Sequence, residues 1–187
     1  MVPPDITSLL QQEFGTTVSQ VDATSWQVET QEFRLLVLLS EDQSWLRLLV
    51  PIVPVQDAET VLEQLLAANF DQTLETRYAT HKGVVWGVFQ HSLESLTSKD
   101  FLSAASTLIR LSKQGLSSFY DDLIEQRIRQ VIQAAKRQGQ SIEETMQVLE
   151  RFYAEGLMGE MEGGTESRDQ TLSAWRWQLE RLWPEVE

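Results

Sequence analysis

The stretch from residue 33 to residue 55, FRLLVLLSEDQSWLRLLVPIVPV, constrains this chain more than any other. Leu, Val, Ile and Phe fill it so densely that a sheet largely shielded from water on both faces is expected. Each apolar half runs seven to ten residues, short of the roughly 18 that suggest a membrane span. Arg34, the polar turn from Ser40 to Ser44, and Arg47 interrupt it further. Two strands, residues 33–39 and 45–53, satisfy the pattern. Pro51 and Pro54 place the end of the second at a sheet edge or beyond the ladder.

A chain of 187 residues suits one large domain, or one domain with an appendage, and buries a substantial core without cross-links. The chain has no cysteine, which removes disulfides, thiolate catalysis, cysteine zinc sites and iron–sulfur clusters. Its 28 acidic and 15 basic residues give a net charge of −13, which opposes attraction to nucleic acid or to an anionic membrane surface. The acid is spread along the chain and keeps an apolar-rich protein soluble. The opening MVPPDITSLL has neither a basic start nor a long apolar stretch, so a soluble cytoplasmic protein is expected.

Before the central stretch, Asp5 caps a helix carrying Ile6, Leu9, Leu10 and Phe14 on one face, and Gly15 ends it. Residues 17–22 and 25–30 alternate weakly and read as irregular edge structure leading into a strand near Trp26 and Val28. After it, Asp57 opens a helix with Val61, Leu62, Leu65 and Leu66 as its buried stripe and Asn69 at its end. Residues 77–81 and 84–92 form a hairpin about Lys82-Gly83. That turn sets His81 opposite Val84, Ala79 opposite Trp86, and Tyr78 opposite Gly87, where a large ring covers strand backbone.

The remainder reads as helix. Thr97 and Asp100 start one lined by Phe101, Ala105, Leu108 and Ile109. Phe119, Tyr120, Leu123, Ile124, Ile128, Val131, Ile132 and Ala135 line the next, with acids early and Lys136 and Arg137 late, as the helix dipole favours. Ser141 and Glu144 make a capping box for a helix through Met146, Leu149, Phe152, Tyr153 and Leu157. Residues 159–170, GEMEGGTESRDQ, read as a linker. A short helix with Trp175, Leu179, Leu182 and Trp183 follows and stops at Pro184. The expected fold class is α+β, an antiparallel sheet with flanking helices plus a C-terminal helical extension. Its expected segments are an α+β domain over residues 1–114, a helical extension over 115–159, and the linker with its Trp-rich helix over 160–187.

Motifs for nucleotide binding and for serine nucleophiles are absent from the sequence. The only histidines, His81 and His91, fall apart in the proposed hairpin, so no metal and no cofactor are expected. Glu41-Asp42 lacks the rest of a calcium loop and reads as a solvated turn. The pairs Asp121-Asp122 and Glu143-Glu144 sit in first helical turns, where dipole and capping effects account for them.

What remains is a face. Arg34, Leu36 and Leu38 share one side of the first central strand, and Trp45, Arg47 and Leu49 share one side of the second. Arg77, Val84, Trp86 and Val88 share one side of the later hairpin. Where these sides coincide, three arginines stand among two tryptophans and several aliphatics, the residue types enriched at binding hot spots. Arg34, Trp45, Arg47, Leu49, Arg77, Trp86 and Val88 are therefore the candidate partner-binding or dimer residues. The alternative is an ordinary solvent face decorated with arginine, because sequence does not fix the parity between the hairpins.

LLAANF (residues 65–70), RYATHKGVVWGVF (residues 77–89) and the apolar helix after Thr97 occur in the order helix, three strands, helix, two strands, helix. That order resembles the class I type III secretion chaperones, and the whole sequence also resembles uncharacterised cyanobacterial proteins. The first resemblance implies a non-enzymatic homodimer that holds a partner polypeptide on apolar patches and sheet edges. Members of that family stop soon after the third helix, whereas this chain continues to Glu187. The alternatives are a self-associating structural or regulatory adaptor and an enzyme that uses carboxylates with His81 or His91.

Overall fold

The computed structural model describes residues 1–154 and 165–186, with side chains for 1–151 and 172–186. The side chains of Phe152 and Tyr153, together with Leu157 and residues 159–164 of the expected linker, lie outside the described residues. The chain divides into two compact units, Met1–Tyr120 and Asp121–Glu187.

The first unit is α+β. Helix α1 (Pro3–Phe14) starts on two prolines, whose fixed φ suits a first turn, and ends at Gly15 with φ 59°. Strands β1 (Val18–Asp22), β2 (Ser25–Glu29), β3 (Arg34–Leu39) and β4 (Trp45–Pro54) follow. Then come α2 (Val55–Ala58), a 3₁₀ turn, α3 (Leu62–Ala68), β5 (Arg77–His81), β6 (Val84–Ser92) and α4 (Ser98–Gln114). The six strands form one antiparallel sheet in the order β1-β2-β3-β4-β6-β5.

One face of this sheet is the core. Trp26, Val37, Leu48 and Phe89 form a continuous cross-strand row, and all four are buried. The helices stand on this face. Trp26 donates its indole N–H to Thr7 of α1 at 2.9 Å, and Leu108 of α4 packs over Gly87 and Val50. Phe119 lies edge-on to Tyr78 at 5.7 Å. Thr97 caps α4 as expected, its hydroxyl accepting from the Asp100 N–H at 3.1 Å.

The structure corrects several expectations. Residues 18–22 form strand β1 at the edge of the sheet, a paired strand where only irregular edge structure was expected, with its side chains almost all exposed and its register broken by a bulge at Val21. The helix expected from Asp57 is broken by the 3₁₀ turn Glu59–Val61. Its buried stripe is Ala58, Val61, Leu65 and Ala68, and this leaves Leu66 72% exposed. Each residue rotates about 100° around a helix, so facing Leu65 inward turns Leu66 out. The described helices of the first unit shield the inner sheet face alone, whereas Leu36, Leu38, Arg47 and Leu49 on the other are half-buried. Pro51 has outrun β3, whose ladder with β4 ends at Leu49, yet it still pairs with Trp86 of β6.

The second unit is helical. It takes most of α5 (Ser117–Arg137), then α6 (Ile142–Ala154) and α7 (Thr165–Leu182). Gly139 turns the chain with φ 71°. Ser141 and Glu144 complete the expected capping box, with bonds of 2.7 and 3.2 Å. Ile128, Ile132, Met146, Leu149, Leu179 and Leu182 form one buried cluster, with Trp175 and Trp183 packed against it. Helix α7 begins at Thr165, inside the segment expected to be linker, and so exceeds the short helix anticipated after residue 170. Around the cluster, Glu125 accepts from Arg181 at 2.5 Å and from Arg129 at 2.9 Å, and Arg129 also reaches Glu185 at 2.7 Å. The Arg181 and Arg129 hydrogen bonds hold the Glu125 carboxyl below its ordinary value.

Candidate functional site

Strand alternation and ladder register decide which side chains share the uncovered face. One row runs Gln27, Leu36, Leu49, Val88 and Arg77 across β2, β3, β4, β6 and β5. The neighbouring rows are Leu38, Arg47 and Gln90 on one side, and Pro51, Trp86 and Ala79 on the other. Arg34 stands opposite Glu29, and Trp45 opposite Ser92. All seven candidate residues therefore lie on one face.

They divide by place and by partner. Arg47, Leu49, Arg77, Trp86 and Val88 line a shallow pocket of about 250 Å³ together with Ala79, His81 and Gln90. Arg34 stands away from that pocket at the start of β3, tied to Glu29 at 2.5 Å. Trp45 supports the pocket from beside it, with the Arg47 guanidinium 4.8 Å from its ring centre. His81, named from the sequence only for the enzyme alternative, and Gln90, which was not named, complete the polar rim. Gln90 was reachable, being two residues past Val88 and therefore in phase with it.

The polar atoms of the pocket are incompletely matched. Arg47 Nε is buried without a hydrogen-bond partner. Arg77 Nη2 donates to Gln90 Oε1 at 3.3 Å, and Trp86 Nε1 donates to the His81 carbonyl at 3.2 Å. His91 lies in the row of Leu46 on the opposite, inner face and stacks on Phe89 at 5.8 Å. Among the described residues no three His, Cys, Asp or Glu side chains are grouped to hold a metal ion. No described helix is long and apolar enough to cross a membrane.

No family model matches the chain, and no curated protein matches it. Solved structures of similar fold do exist. The chain is similar to one in the ExsC–ExsE complex, at 17% identity over 60% of this chain and 91% of that one, with a TM-score of 0.49. It is similar to one in the heterodimeric ExoU–SpcU complex from the type III secretion system of Pseudomonas aeruginosa, at 16% identity over 61% and 93%, with a TM-score of 0.47. A third likeness is to the HopA1–SchA chaperone–effector complex, at 12% identity over 58% and 87%, with a TM-score of 0.46.

In this chain the pocket offers a planar guanidinium from each of β4 and β5, an indole wall and an aliphatic floor. Such a surface suits a ligand that brings carboxylate and apolar groups together.

Proposed function

We propose that the protein is a non-enzymatic polypeptide-binding protein, chaperone-like in action, that holds a segment of a partner chain over the open sheet face. One observation carries this reading: no described helix of the first unit covers this face of the sheet, yet Leu36, Leu38, Leu49, Trp86 and Val88 lie there half-buried or buried beside two arginines that bond no carboxylate among the described residues. Apolar strand surface rimmed by Arg and Trp is the anatomy of a binding patch.

The test is fluorescence anisotropy with the full chain and a panel of short, labelled, unstructured peptides of varied composition. Members of the panel are expected to bind, and Trp86→Ala is expected to weaken them by roughly 2 kcal/mol or more, as truncating a central aromatic anchor does. Circular dichroism shows that the variant folds. If no peptide binds, or if Trp86→Ala and Leu49→Asp both fold and bind as the wild type does, the reading is wrong.

Pairing of two copies is part of the proposal, on surface other than this face. Leu66, Phe70 and Leu74, which are 72%, 93% and 72% exposed, follow one another at four-residue spacing from α3 into the loop before β5. They offer exposed apolar area, with the exposed acids Asp71 and Glu75 next to Phe70 and Leu74 in the chain.

A further inference from the structure

On the reading of this face as a partner-binding surface, we infer that the pocket between Arg47 and Arg77 recognises a carboxylate side chain flanked by apolar residues on a different polypeptide, and that two copies of this chain do not pack there. The charges of the face point to this occupant. Its strand rows carry Arg34, Arg47 and Arg77 against two acids, Glu29 and Asp22. Glu29 is engaged by Arg34 at 2.5 Å. Asp22, at the bulged end of β1, accepts from the Thr24 N–H at 2.7 Å and the Thr24 hydroxyl at 2.9 Å. Two copies related by a two-fold axis present the same patch to each other. Across such an axis Arg47 and Arg77 would find no unengaged acid among these strand rows, and burying charges without partners is costly.

The arginines themselves are poised for an acid. In a chain with 28 acidic residues, neither Arg47 nor Arg77 bonds a carboxylate among the described residues. The Trp45 ring holds the Arg47 guanidinium, and its buried Nε has no acceptor. A guanidinium that lines the pocket without a carboxylate partner offers one a charge-assisted bond of fixed geometry. Arg47 and Arg77 flank Gln90 and Val88 of β6, so one acidic group reaches the pocket over a floor of Leu49, Ala79 and Val88. A volume of about 250 Å³ lies below the usual range for small-molecule sites. It suits one acidic side chain with part of an apolar neighbour.

Two labelled peptides of the same Leu- and Phe-rich sequence, one carrying Glu and the other Gln at matched positions, test this on the full chain. The Glu peptide is expected to bind about tenfold or more tightly, the equivalent of one charge-assisted hydrogen bond. Arg47→Gln and Arg77→Gln are each expected to bring the ratio toward one, whereas Arg34→Gln leaves it in place. Equal binding of both peptides, with both weakened by Trp86→Ala, overturns carboxylate recognition and leaves polypeptide binding standing. Absence of binding by both peptides overturns the inference, and binding indifferent to both Trp86→Ala and Leu49→Asp removes polypeptide binding on this face as well. A Glu preference that survives in both Arg47→Gln and Arg77→Gln overturns the inference, since the acid is then read elsewhere. Dissociation of paired copies by Arg47→Gln, seen by light scattering, also overturns it.

Discussion

A Cβ placed on Gly87 would lie 2.8 Å from Val50 Cγ2 and 3.1 Å from Leu108 Cδ2, so the missing side chain is what lets α4 close on the sheet. Glycine here makes room for a helix, a stricter requirement than the cover by Tyr78 expected of the pair. Gly87→Ala is therefore expected to destabilise the chain by about 1–3 kcal/mol, as overpacking a core does. Urea unfolding reads this as a lower midpoint at unchanged slope; an unchanged midpoint would mean that Val50 and Leu108 yield freely. At the tip of the β3–β4 hairpin, the Asp42 carboxylate accepts from Ser40 Oγ at 2.6 Å, Ser44 Oγ at 2.7 Å and the Ser44 N–H at 3.0 Å. These bonds, that from Ser40 first, bring its pKa down from 3.8 to about 2. A depressed carboxyl pKa contributes stability that is present above the unfolded value and lost as pH falls through the folded one. Wild type is accordingly expected to exceed Asp42→Asn in stability at pH 5 and above, where the carboxylate is fully ionised in both states. The gap should close by about pH 2, where Asp42 takes up its proton. A gap that stays constant over that range would show that the charge on Asp42 does not matter.

Hairpins were legible because their geometry is local. Lys82 and Gly83 take φ of 49° and 76°, as a two-residue turn matched to strand twist requires, and the register of β5 on β6 follows from them. Parity between that hairpin and the central one was not legible. It depends on the β4–β6 ladder, which sets Leu49 opposite Val88, and such pairing across a long loop leaves no mark in either strand alone. The sequence listed the face by halves, and only the ladder joined them. Residues 18–22 read as edge structure but not as a paired strand, because the exposed VSQVD of β1 has no core side to make its alternation strong. The break between α2 and α3 escaped because VLEQLL fits more than one helical stripe. The last helix was visible as an apolar stripe but not in length, since the polar turns before Trp175 carry no signal of their own. Helix α7 is held by burial: a helix in a protein draws most of its stability from packing one face, and Leu179 and Leu182 are fully buried against α5 and α6. Leu179→Ala is expected to cost about 2–5 kcal/mol in that unit. Chemical denaturation followed by Trp fluorescence measures it, and a change near zero would mean that α7 contributes no anchoring contact.

Each copy carries a net charge of −13, which sets two copies against one another at long range, so any pairing must be driven by apolar surface. A stable interface buries at least about 1,000 Å² in total, with apolar residues at its centre and a polar rim. The arginine face is a poor centre for such a contact because its strand rows hold no unengaged acid to meet Arg47 and Arg77. Leu66, Phe70 and Leu74 are suited to it, being exposed and apolar, although the neighbouring Asp71 and Glu75 add to the repulsion that apolar burial must overcome. The two surfaces therefore separate by mutation and by salt. Light scattering after size exclusion is expected to give twice the 21.4 kDa of one chain, and Phe70→Asp to return it to one. Arg47→Gln is expected to leave the mass unchanged while abolishing the preference for an acidic peptide. Salt shortens the reach of the mutual repulsion to about 10 Å at 0.1 M, so the pair should tighten as ionic strength rises. A mass of 21.4 kDa at every salt concentration would rule out pairing, and the arginine face would then have to receive its partner on a single copy.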